Sequence, residues 1–148
     1  MRALRPAAVL ALFALDRATK MWASSVLKTG GPIRLLPFFE FSYAENTGAA
    51  FSLGGGWGGA ANIFFVCVSA ALIVVLIRMM IKWPKNDPWL QAGGTLVLSG
   101  AFGNLYDRLV HGYVVDFLYL HHWPVFNVAD SCITVGACLL AWGLRDEK

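Results

Sequence analysis

Two carboxylates stand out in this chain because their surroundings are apolar. Asp116 sits in the run VVDF and Asp130 in FNVAD. A single such aspartate reads as a helix cap or as the partner of a nearby arginine such as Arg108. Two of them in similar settings point to shared acid–base chemistry. Carboxyl groups brought close together cannot both ionise cheaply, so they share a proton and titrate as a unit. The ionised partner can take a proton from water while the protonated one donates to a carbonyl. That is hydrolysis of the aspartic type, with no metal and no covalent intermediate. Spacing alone does not bring the two residues together; only the fold can.

Other polar residues fall into helical registers. Asp16 and Lys20 are four apart, on one face of a helix, and the simplest account is an ion pair that lowers the cost of both in an apolar setting. Gly100, Asn104, Asp107 and Arg108 lie along one stripe. Gly100 would let another backbone approach, and Asn104 and Arg108 would offer donors to a carbonyl or carboxylate. Asp107 beside Arg108 reads as charge balance. Asn127 is three residues before Asp130, on the same face.

Other chemistries find little support. There is no HExxH pair for zinc and no GxSxG elbow for a serine nucleophile. His111, His121 and His122 stand in a loop without metal-ligand spacing. Cys67, Cys132 and Cys138 lie in apolar stretches and read as buried small side chains, not as a disulfide or zinc framework. The glycine-rich stretch at residues 53–59 lacks the lysine of a phosphate loop. No basic block suggests nucleic-acid binding.

The elements that must position these groups follow from composition. The chain has 148 residues, room for one domain, with 57% hydrophobic and 14% charged residues, net charge +3 and mean hydropathy +0.58. A quarter charged is usual for soluble domains, so an α-helical integral membrane protein is implied. No charged residue occurs over 46–77, 88–106 or 131–144. A span needs about 20 apolar residues, and four helices are expected at about 6–27, 60–81, 89–110 and 126–144. The amino-terminal run resembles a cleavable signal peptide, but Asp16, Arg17 and Lys20 follow at once without a clean small-x-small site, so it is read as a retained first helix. With both termini cytoplasmic, that side carries Arg2, Arg5, Arg78, Lys82, Lys85, Arg145 and Lys148. The rest of the chain carries Arg17, Lys20, Lys28, Arg34 and Arg108. Two segments then face outward. In the first, about 28–59, Phe39, Phe41 and Tyr43 alternate with Glu40, Ser42 and Ala44, the period of a strand. The second, about 111–125, is aromatic and suits a membrane interface. No internal repeat suggests an alternating-access transporter.

Five motifs, in this order, resemble signal peptidase II, the bacterial lipoprotein signal peptidase family. They are DRATK at 16–20, NTGAAF at 46–51, GNLYDR at 103–108, VVDF at 114–117 and FNVAD at 126–130. The resemblance implies an aspartic endopeptidase of the bacterial cytoplasmic (inner) membrane that cuts diacylglyceryl-modified prolipoproteins just before the lipidated cysteine. It implies four transmembrane helices, a small extracytoplasmic β-cradle between helices 1 and 2, and an active site facing the extracytoplasmic side. The whole of 1–148 is then one membrane-embedded peptidase domain. Asp116 and Asp130 become the catalytic dyad. Asp16, Lys20, Asn46, Gly48, Asn104, Arg108, Asn127 and Ala129 become the residues that bind substrate or shape the site. A monomer without metal or cofactor is implied, in contact with membrane lipids and blocked by globomycin-type cyclic peptides. The connection of residues 117–129 is short for the family.

Overall fold

A computed structural model describes residues 6–48, 58–84 and 86–145. The chain runs α1 (Pro6–Gly30), β1 (Ile33–Leu36), β2 (Phe39–Asn46), α2 (Gly58–Lys82), α3 (Pro88–His111), β3 (Val114–Leu120) and α4 (Val128–Leu144). The four expected helices are present, with no end shifted by more than three residues. The expected cytoplasmic charges Arg2, Arg5, Lys85 and Lys148 lie outside the described residues, as do positions 49–51 of the NTGAAF motif and 53–57 of the glycine-rich stretch.

The helix ends follow local chemistry. Asp87 caps α3 by accepting from the backbone N–H groups of Trp89 and Leu90 at 2.8 and 2.9 Å, with Pro88 at the first helical position, where its missing N–H costs nothing. Gly112, at φ 80°, ends the helix in the left-handed conformation and donates its N–H to Arg108 O. Asn127 caps α4, so that helix begins at Val128 and not at Phe126.

α3 is the central element, packed against α1, α2 and α4. It meets α4 backbone to backbone. A Cβ on Gly100 would lie 2.3 Å from Ala129 O, and Gly93 and Gly136 each stand where a Cβ would be 2.8 Å from the other's carbonyl oxygen. Leu76, Met80, Trp83, Leu90, Val97 and Leu98 form the core between α2 and α3. Among the described residues one helix is long and apolar enough to cross a membrane by itself: residues 59–82, whose apolar window has mean hydropathy 2.7 and is 11% buried. α1 carries Asp16, Arg17 and Lys20 within five positions, α3 ends in Asp107 and Arg108, and α4 has 17 residues.

The sheet corrects the expected cradle. It is antiparallel, in the order β1-β2-β3, and its third strand comes from the aromatic segment after α3, not from the chain between the first two helices. Asn46 opposes Val114 and Ala44 opposes Asp116, with a bulge in β2 between Phe41 and Ala44. Val115 and Phe117 point from one face of β3 onto Ala23 and Leu27 of α1. Asp116, between them, points to the other face.

Replacing Gly100 by Val forces α3 and α4 apart at the turn that carries Asp130. The expected cost is about 2–3 kcal/mol, read as a lower unfolding temperature in detergent.

Candidate active site

Asp116 is 2% exposed, and each of its oxygens accepts from an amide side chain. Asn46, on the neighbouring strand, donates to Oδ2 at 3.0 Å, and Asn127 donates to Oδ1 at 2.7 Å. Burial, and then the nearby negative charge of Asp130, push its pKa up from 3.8 to about 6, against the lowering effect of the Asn46 and Asn127 hydrogen bonds.

Asp130 reaches the same place by a chain reversal. After β3 the backbone turns through His121 and His122, the latter at φ 68°. It returns so that Phe126 exchanges hydrogen bonds with Leu118, N–H to O in both directions, at 2.9 and 2.8 Å. Asn127 follows as the α4 cap: its Oδ1 accepts from Asp130 N at 2.9 Å, and Asp130 Oδ2 accepts from Asn127 N at 3.2 Å. Asn104 donates to the other oxygen of Asp130 at 2.7 Å. The two carboxylates are thus joined through one residue, Asn127, which bonds both. Asp130 also lies in the first turn of α4, where the helix N-terminus favours negative charge.

Beneath the pair lies a buried charge network. Lys20 has no exposed surface, and its ammonium meets Asp16 and Asp107 at 2.9 Å each and Asn104 Oδ1 at 3.1 Å. The Asp16–Lys20 pair expected from their spacing is present. Asp107 was expected only to balance Arg108, and the structure corrects this. Asp107 pairs with Lys20 and Arg17 and accepts from Val115 N at 3.2 Å, next to Asp116. Asp16 accepts from Ala129 N at 3.0 Å, satisfying a donor in the first turn of α4. Asp107 and Arg17 are therefore the residues that sequence reasoning undervalued. Their spacing to Asp16 and Lys20 across two helices gave no local signal.

The expected stripe of α3 divides. Gly100 and Asn104 face α4 and Asp107 faces α1, whereas Arg108 turns to α2 and lies over the Phe65 ring at 5.1 Å. Gly48 follows a side-chain turn in which its N–H donates to Asn46 Oδ1 at 2.8 Å. The three histidines lie at the end of α3 and in the turn after β3, and no cluster of three metal-ligating side chains occurs among the described residues. Cys67, Cys132 and Cys138 are free thiols; Cys132 is buried, but Cys67 and Cys138 are exposed, contrary to the expectation that all three would be covered.

Residues 8–145 match the family model described as signal peptidase (SPase) II. The chain is 44% identical over 138 residues to the lipoprotein signal peptidase of Teredinibacter turnerae, covering 90% of this chain and 82% of that protein. It is 42% identical over 132 residues to the lipoprotein signal peptidase of Alteromonas mediterranea, covering 86% and 72%. A bacterial membrane enzyme solved by the in meso method at 1.9 Å superposes with a TM-score of 0.84 at 27% identity, over 95% of this chain and 92% of that one.

Two outcomes are expected. Replacing Lys20 by Met leaves Asp16 and Asp107 buried without their shared cation, at a cost of about 3–5 kcal/mol, seen as loss of folded protein in detergent. For Asp116, the fold holds a proton that the unfolded chain releases at lower pH. The folded state binds more protons between about pH 4 and 6, so stability falls as pH rises through that window, by up to about 3 kcal/mol. Unfolding temperatures measured across pH should show this slope, and Asp116→Asn should flatten it.

Proposed function

Because the chain belongs to the signal peptidase II family, a family of proteases that process lipoproteins, we propose that it is an aspartic endopeptidase. In this reading it removes the signal peptide of diacylglyceryl-modified prolipoproteins by cutting just before the lipidated cysteine. The observation that carries the reading is the junction at Asn127, where two carboxylates on separate elements meet one residue: the buried Asp116 accepts from its side-chain amide and Asp130 from its backbone N–H.

The chain is a bacterial membrane protein by family and by its structural neighbours. The proposed arrangement has four spans, with both termini in the cytoplasm and the sheet outside. α1 and α3 cross despite their charges because Asp16, Arg17, Lys20 and Asp107 neutralise one another. The substrate's acyl chains stay in the bilayer and hold its cysteine near the outer boundary, at the depth of the first turn of α4.

A water held between the carboxylates loses a proton to Asp130 as its oxygen adds to the scissile carbonyl carbon. Burial and the neighbouring charge of Asp130 favour the protonated form of Asp116, which gives its proton to the carbonyl oxygen. In the tetrahedral intermediate the hydroxyl returns that proton to Asp116. The C–N bond then breaks as Asp130 protonates the cysteine nitrogen, and both carboxyl groups end as they began. Asn46, Asn104 and Asn127 keep the carboxylate oxygens aimed, and no residue with a metal role is needed. A monomer suffices, in a shell of membrane lipids, and globomycin-type cyclic peptides would compete for the same groove.

Asp130→Asn and Asp116→Asn are each expected to abolish cleavage of a lipidated precursor in a gel-shift assay. Each removes one charged acceptor and lowers stability by only about 1–2 kcal/mol. Cleavage at the unaltered rate by purified Asp130→Asn would rule out the mechanism.

A further inference from the structure

Two buried polar atoms near the end of α3 lack partners among the described residues. Asn62, in the first turns of α2, donates from Nδ2 to the main-chain oxygen of Arg108 at 3.2 Å. Only the amide nitrogen can donate to a carbonyl, so the orientation of this side chain is set, and its Oδ1 is left as an acceptor. Among the described residues, that Oδ1 is buried and accepts nothing, and the Nε of Arg108 is buried and donates to nothing. Arg108 also belongs to none of the ion pairs among the described residues. Its guanidinium lies over Phe65 and within electrostatic reach of Asp130, Asp116 and Asp107. Asn62 and Phe65 are three apart and share one face of α2. Phe65 also closes on Gly48, where a Cβ would stand 2.3 Å from the ring. The end of β2, the face of α2 and the end of α3 thus meet around Arg108, next to the carboxylate pair.

Buried polar atoms without partners are costly and call for an explanation. Here one accepts and the other donates, which is the complement of a peptide backbone, with its N–H and C=O. We infer that Asn62 and Arg108 grip the substrate main chain beside the scissile bond: Asn62 Oδ1 receives a substrate N–H, and Arg108 Nε donates to a substrate carbonyl. This rests on the peptidase reading above and adds Asn62, on α2, to the residues that touch substrate.

The test uses the full chain in detergent with a synthetic diacylglyceryl-cysteine lipopeptide. A series of analogues replaces single backbone N–H groups near the scissile bond by ester oxygen. One ester position raises KM about tenfold for the unaltered chain, the worth of one good hydrogen bond. Asn62→Ala raises KM for the parent lipopeptide by a similar factor, with kcat within about twofold, and is indifferent to that ester. Because Asn62 also donates to the Arg108 carbonyl in the last turn of α3, the variant is checked by thermal unfolding. If it is unstable, the ester series on the unaltered protein decides alone. Cleavage with no ester-selective loss, or a loss that persists in a folded Asn62→Ala, overturns the grip and leaves the peptidase reading standing. A parent lipopeptide left uncut by the unaltered chain overturns both.

Discussion

A lysine ammonium with no access to solvent must find a partner for each of its three donors, and Lys20 does so with Asp16, Asp107 and Asn104. Each of these acceptors leads one hydrogen bond further to an element of the site. Asp16 accepts from Ala129 N in the first turn of α4, Asp107 accepts from Val115 N on β3, and Asn104 donates to Asp130 itself. One buried cation thereby sets the relative positions of the strand that carries Asp116 and the helix that carries Asp130. With Arg17 on the far side of Asp107, the four charged groups balance, so the network places no net charge beneath the carboxylates. Asn104 stands between the ammonium and Asp130, passing on polarisation without an ion pair.

What could be read in the sequence was whatever a single helix encodes. The four-residue spacing of Asp16 and Lys20, and the gaps between charges, sufficed for the pair and for the helices to within three residues. β3 escaped notice because residues 114–117 are buried on both faces, so VVDFLYL lacks the alternation that marked residues 39–44. β1 is only four residues long and exposed throughout. The helix expected from about 126 starts two residues later, because the backbone of Phe126 pairs with Leu118 and its successor is the cap. The proximity of Asp116 and Asp130 depends on that backbone pairing, which no side-chain pattern announces. Asp107 was read beside its neighbour in sequence, Arg108, when its partners lie on α1, 87 and 90 positions away.

The environment of the two carboxylates is polar but mostly uncharged. Every oxygen that the fold reaches is met by an amide N–H, from Asn46, Asn104, Asn127 or the backbone. Amides hold a carboxylate in place without the strong lowering of its pKa that a directly paired ammonium brings. Burial therefore dominates at Asp116, and the group is poised near neutrality.

The glycines between α3 and α4 bear on which faces of α3 are closed. Backbones in mutual contact at Gly93, Gly136 and Gly100 leave no seam for a guest rod about 10 Å across. That side of the barrel of helices is welded. The opposite flank of α3 is of another kind: α2 meets it through the side chains of Leu76, Met80 and Trp83, and most of its apolar length faces away from the protein.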